Sequence, residues 1–131
     1  MTDAPSGIEG GRGAATGAGS TGWIKSVVAG SLGVARALCA QPAEALQADC
    51  RFDWGADWLL FAVREPFPSR KSGARIVFGR IEQGKTLRIV SRMPEGGVIF
   101  SDGVEQDAVA FNSGSIAEVG VADRRANLVV G

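Results

Sequence analysis

Residues 16–26, Thr16-Gly17-Ala18-Gly19-Ser20-Thr21-Gly22-Trp23-Ile24-Lys25-Ser26, gather three glycines and four hydroxyl side chains immediately ahead of the strongest helical pattern in the chain. Glycine at 17, 19 and 22 lets the backbone turn sharply or come close to a ligand, and the hydroxyls of Thr16, Ser20 and Thr21 can cap a helix or donate to an anion. From Trp23 onward Ile24, Val27, Val28, Leu32, Ala35 and Leu38 recur at spacings of three and four, which predicts an amphipathic helix ending near Gln41-Pro42. The free N–H groups at the head of such a helix suit a phosphate or a ribose hydroxyl. The same residues also describe a capped helix after a tight turn, so a binding role and a purely architectural one both fit.

Composition limits the chemistry that can accompany this turn. The chain has 131 residues, enough for one domain that buries about two thirds of its unfolded surface. Its 14 basic and 14 acidic residues cancel, so no global field draws it to nucleic acid or to an anionic membrane. Histidine is absent, which removes Ser-His-Asp and Cys-His nucleophiles and HExxH metal sites, and leaves carboxylates or lysines as the available bases. Cys39 and Cys50 are too few for a disulfide scaffold or a zinc cage and suit a reduced, cytoplasmic setting. No apolar leader opens the sequence, and no window approaches the ~20 apolar residues of a membrane span.

The elements that must hold the turn follow from patterning. Residues 1–13 are rich in glycine and poor in large apolar side chains, and are expected to be a disordered or truncated N-terminal segment ahead of a domain that occupies 14–131. Gly13-Ala14-Ala15 can extend as a short strand if another strand pairs with it. A helical turn is expected around residues 43–48. Trp58-Leu59-Leu60-Phe61-Ala62-Val63 is a continuous apolar run, the pattern of a central strand covered on both faces. Pro66 and Pro68 stop it. Residues 74–81 and 86–93 predict strands joined by the Gln83-Gly84-Lys85 turn, the second alternating Leu87, Ile89 and Met93 with Arg88 and Arg92. Val98-Ile99-Phe100, Asp102-Gly103 and Val109-Ala110-Phe111 predict a hairpin, and residues 116–121 and 126–130 a last pair of strands. One helix followed by about seven short strands gives an α+β, mostly β class: an antiparallel, β-sandwich-like domain with one main N-terminal amphipathic helix.

Other features weigh toward scaffolding. Gly17-x-Gly19-x-x-Gly22 has the spacing of a dinucleotide fingerprint, but that fingerprint belongs between a buried strand and a helix of a βαβ unit, and no parallel alternation follows. A Walker A loop is excluded because no Gly-Lys-Ser/Thr is present at the required interval. Asp102-Gly103 reads as a turn rather than a catalytic carboxylate, Arg70-Lys71 as solvated loop charges, Arg124-Arg125 as decoration of a hairpin, Arg88 and Arg92 as the wet face of a strand, and Cys39 as a small buried hydrophobe.

Residues 16–26 resemble, without a gap, the Thr-Pro-Thr-Gly-Ser-Thr-Ala-Tyr-x-x-Ser segment of the NAD kinase family. The later order is similar to that family's C-terminal domain as well: an apolar strand, the Pro66-Phe67-Pro68 corner, more strands, and a Ser101-Asp102-Gly103 turn. The resemblance covers residues 14–130; the eleven-residue segment is its specific part. It implies a nicotinamide dinucleotide site with contacts at Thr21, Gly22, Trp23 and Ser26, and a turn shaped by Thr16, Gly19 and Ser20. Trp23 stands where the family has Tyr and keeps a ring without the hydroxyl, and Gly22 replaces Ala.

The same resemblance implies ATP-dependent phosphorylation of NAD to NADP, with ATP and a divalent metal held outside this chain, NAD(P) as ligand, and a homo-oligomer built through the β domain. The Gly-Gly-Asp-Gly motif that supplies the family's activating Asp and its ATP-approaching glycines does not occur here, nor does the Asn-Glu pair after it. Phosphoryl transfer depends on positioning and charge stabilisation. The chain is therefore expected to bind but not to turn over alone, and no catalytic residue or metal ligand is assigned within it. The alternative is a non-catalytic nucleotide-binding or β-sheet oligomerisation module.

Overall fold

A computed structural model describes residues 2–3, 12–39, 49–66, 76–101, 104–125, 127 and 129. The fold is α+β and mostly β: one α-helix and several short, chiefly antiparallel strands in small sheets. In chain order these are β1 (Thr2–Asp3), β2 (Arg12–Ala15), a 3-10 turn (Ala18–Thr21), α1 (Trp23–Leu38), β3 (Trp58–Val63), β4 (Phe78–Glu82), β5 (Thr86–Val90), β6 (Val98–Ser101), β7 (Val104–Ala110) and β8 (Ile116–Gly120). No helix among the described residues is long and apolar enough to cross a membrane.

The sheet that seats the helix has the order β2-β3-β4, antiparallel throughout, with Ala14 opposite Phe61 and Leu59 opposite Ile81. The apolar run of β3 occupies its centre, as its composition predicts, and buries Leu60, Ala62 and Val63. Arg-Gly-Ala-Ala has little strand propensity of its own, and β2 exists because β3 offers it a ladder. Ile24 of α1, fully buried, meets Leu60 and Ala62, and Ala15, Val27, Cys50, Phe52 and Trp58 close around them. Trp58 stacks on Phe52 with ring centroids 3.7 Å apart, and the Arg80 guanidinium lies 3.9 Å from the Trp58 ring centre.

Ile24, in the first turn of α1, is its fully buried apolar residue; Val27 packs beside it, and Val28, Leu32 and Ala35 are half-buried. α1 ends at Leu38, short of the expected Gln41-Pro42, because Cys39 turns extended (φ −96°, ψ 130°) although its N–H still reaches the Ala35 carbonyl at 2.8 Å. Leu38 is 80% exposed and Cys39 is exposed, so Cys39 is not the buried hydrophobe its residue type suggests. Residues 40–48, where a further helical turn was expected, lie outside the described residues, as do residues 1 and 4–11. Thr2, Asp3, Arg12 and Gly13 are placed in strands.

β4 and β5 follow each other through a turn in which Gly84 takes φ +73° and the Lys85 N–H donates to the Glu82 carbonyl at 3.0 Å, yet they belong to different sheets. β5 pairs with β8 antiparallel, Leu87 opposite Val119 and Ile89 opposite Ala117, and with β1 in parallel. Of the strand expected to pair with 116–121, residues 126, 128 and 130 lie outside the described residues, and 127 and 129 belong to no strand. β8 sets its alternate half-buried residues, Ala117 and Val119, beside Ile89 and Leu87. Beyond it Arg125 reaches the turn at Gly55. β6 and β7 form a separate two-stranded ribbon in which Ser101 opposes Val104, the two-residue connection that Asp102-Gly103 predicts; those two residues are themselves outside the described set.

Candidate functional site

The head of α1 is built on a turn that consumes some of its own hydroxyls. Gly17 is buried, and a Cβ there would collide with the Asp53 carbonyl oxygen, so only glycine allows the 53–54 backbone to pass so close. The Ser20 hydroxyl donates to the Gly17 carbonyl at 2.6 Å, and the Ser20 N–H to the same oxygen at 3.2 Å. The Gly19 N–H donates to Thr16 Oγ1 at 3.3 Å. Cys50 Sγ, 3.5 Å from the Ser20 carbonyl, ties the incoming segment to this turn. Thr16, Gly19 and Ser20 thus shape the turn, and Ser20, 1% exposed, has its hydroxyl turned into it.

What stays open lies one step further along. Thr21, Gly22, Trp23 and Ser26 are all exposed and stand together where the 3-10 turn passes into α1. Gly22 is the N-cap residue and carries no side chain, and no other side chain caps the helix. The positive end of the helix dipole therefore lies without a side-chain cap beside two exposed hydroxyls. Trp23, 38% exposed, leans on β2: a Cβ at Gly13 would strike its ring. The ring rests on that strand, and Lys25 adds a cation to the same first turn.

A strand does precede Gly17-x-Gly19-x-x-Gly22, but β3 returns antiparallel to β2. The parallel crossover that brings a pyrophosphate across a Rossmann switch point is missing from this unit, so the glycine spacing here serves a different turn.

Periodicity alone did not single out a groove of about 290 Å³ along the flank of α1. Lys25, Leu32 and Arg36 line it from the helix, and Asp49, Cys50 and Arg51 from the segment leading to β3. The spacing 25, 28, 29, 32, 36 was the available signal, a helix stripe with a cation at each end. Asp49 accepts the Arg51 N–H at 2.9 Å and stands 3.7 Å from its Nε, so part of the positive charge is already answered.

No group of histidine, cysteine, aspartate or glutamate that could hold a metal occurs among the described residues. Arg125, expected as hairpin decoration, instead donates to the Gly55 carbonyl at 2.8 Å and pairs with Asp57. Arg70, Lys71 and Asp102 lie outside the described residues. The described residues at the head of α1 offer donors, acceptors, a ring and a cation. No family model, curated protein or solved structure matches the chain.

Proposed function

We propose that the chain is the NAD-binding C-terminal portion of an NAD kinase-like protein, cytoplasmic, acting in the ATP-dependent phosphorylation of NAD to NADP. Thr21, Gly22, Trp23 and Ser26 contact the dinucleotide, with Thr16, Gly19 and Ser20 holding the turn. The observation that carries this reading is the exposed head of α1, with no side-chain cap, two exposed hydroxyls and an indole resting on β2 beside it. Hydroxyls and N–H groups suit ribose and phosphate oxygens, and the indole suits a base or nicotinamide ring. ATP and the divalent metal belong to a partner half bearing Gly-Gly-Asp-Gly, so the chain alone binds without turnover.

Titrating NAD into the isotopically labelled chain is expected to shift the amides of Thr21, Gly22, Trp23 and Ser26. Ser26→Ala and Trp23→Ala each weaken binding about fivefold or more, the loss of roughly one hydrogen bond or ring contact, whereas Arg124→Ala leaves it unchanged. No amide response at saturating NAD, or equal effects from all three variants, removes the reading.

A second reading, a module that associates through its β-sheets into a homo-oligomer, is favoured by a different observation. Every described side chain of the β6–β7 ribbon is exposed, Val98, Ile99, Phe100 and Val109 among them.

A further inference from the structure

The geometry points to a second binding site, separate from the head of α1: the groove along the flank of the helix receives a small monocarboxylate with an apolar body. The inference goes beyond the dinucleotide reading and does not depend on it.

At 3.6 residues per turn each residue of α1 is rotated about 100° from the one before, so Trp23 lies about 160° around the helix from Lys25, whereas Val28, Ala29, Leu32 and Arg36 lie within about 60° of it. The groove therefore opens on the flank away from the indole. Its other wall is residues 49–51, and that wall is anchored: Cys50 packs against the cluster around Ile24, and its Sγ lies 3.5 Å from the Ser20 carbonyl. The two walls enclose about 290 Å³, at the small end of ligand pockets, which run from about 300 to 1,000 Å³. That room suits a compact molecule and is too narrow for a helix, about 10 Å across with its side chains.

Charge and apolar surface together select the occupant. Lys25, Arg36 and Arg51 border the groove against a single carboxylate, Asp49. Arg36 has a partner of its own. Asp49 answers Arg51, accepting its N–H at 2.9 Å and standing 3.7 Å from its Nε. Lys25 makes no ion pair among the described residues. One positive charge is thus left to balance, in the first turn of α1, where the positive end of the helix dipole adds to it. A single carboxylate balances it, a phosphate dianion exceeds it, and a cation is repelled. Beyond Lys25 the floor turns apolar: Val28 and Leu32, half-buried, and Ala29 between them. A hydrocarbon body gains by leaving water against such a floor, which a bare inorganic anion cannot do.

The test titrates octanoate into the isotopically labelled full chain, with octanol as its neutral counterpart and acetate and inorganic phosphate as anions without a tail. Octanoate is expected to shift the amides of Lys25, Ala29, Leu32 and Cys50 saturably, and each of the other three probes to bind about tenfold more weakly or less. Lys25→Met weakens octanoate about fivefold or more, as loss of a charged partner does, whereas Arg64→Gln, an exposed cation outside the groove, leaves it unchanged. Absence of a saturable response at these amides overturns the site. Octanol matching octanoate overturns the anion selectivity, acetate or phosphate matching it overturns the apolar body, and a Lys25→Met chain that binds like wild type overturns the role of that cation. The four-probe comparison uses the unaltered chain, so misfolding of a variant cannot shelter the proposal.

Discussion

At the scale of single residues, the turn ahead of α1 divides its glycines by what surrounds them. Gly17 sits in ordinary right-handed geometry, φ −54° and ψ −43°, so alanine would suit its backbone; the obstacle is the Asp53 carbonyl that a Cβ would meet. Gly19 faces only the Ala15 Cβ at 3.5 Å and Thr16 Oγ1 at 3.7 Å, ordinary contact distances. Gly17→Ala is therefore expected to cost about 1–3 kcal/mol, the usual range for overpacking a tight site, and Gly19→Ala well under 1 kcal/mol. Urea denaturation of the two variants checks this, and equal losses would mean that the 53–54 segment does not press on the turn. A second residue-scale expectation concerns Glu82. Its carboxyl is held below the usual carboxylate range of 4.5 first by the hydrogen bond from Lys85, whose Nζ lies 2.6 Å from Oε2, and then by the charges of Lys85 and Arg80. A depressed folded pKa stabilises the protein above the unfolded value and ceases to do so as pH falls from 4.5 through the folded value. Lys85→Met is expected to raise the Glu82 titration midpoint in an NMR pH series. Its destabilising effect should be present at neutral pH and vanish in acid; an unmoved midpoint would show that the pair does not form in solution.

At the scale of elements, legibility followed the strength of local patterning. The six-residue apolar run of β3 specified a central covered strand because nothing but a sheet with a helix on it buries Leu60, Ala62 and Val63 together. The start of α1 was equally plain, since Gly22 ends the turn and Trp23 and Ile24 open the apolar repeat. Its end was not. Leu38 continues the repeat, but it is 80% exposed while Ile24 and Val27 join the core, and an apolar period does not say how far its support extends. β8 illustrates the complementary limit. Short alternating strands pair equally well with several partners on paper, and the choice of β5 depends on matching half-buried residues across the ladder and on where Arg125 is drawn, both of them long-range matters. Within the candidate site, hydroxyl-rich composition pointed to the right turn, but only the folded backbone separates Ser20, whose hydroxyl closes on Gly17, from Thr21 and Ser26, which stay open. The groove beside Lys25 and Arg36 depends on residues 49–51 returning alongside the helix, which no local pattern records.

At the scale of the molecule, the dinucleotide site and the ribbon of the second reading stand on separate supports. The head of α1 is fixed by β2, by the core around Ile24 and by the pass of residues 53–54 beneath Gly17, all belonging to the β2-β3-β4 sheet. The ribbon is a sheet of its own, rooted through Ser91 and Asn112 at the far end of β5. Two sites couple only through an element whose equilibrium both of them bias, and the described residues include no strand shared by these two supports. NAD binding and self-association are therefore expected to be independent. Phe100→Lys should lose the dimer while its NAD affinity stays within about twofold of wild type, and Ser26→Ala should weaken NAD binding while leaving the dimer dissociation constant unchanged. In the double variant the two losses should add to within about 0.5 kcal/mol, as they do for distant sites. Calorimetric titration of NAD into the four proteins, paired with sedimentation of each with and without NAD, completes that cycle. A dimer that tightens when NAD binds would contradict independence, and would mean that the ribbon and the head of the helix respond to a common movement of the sheets between them.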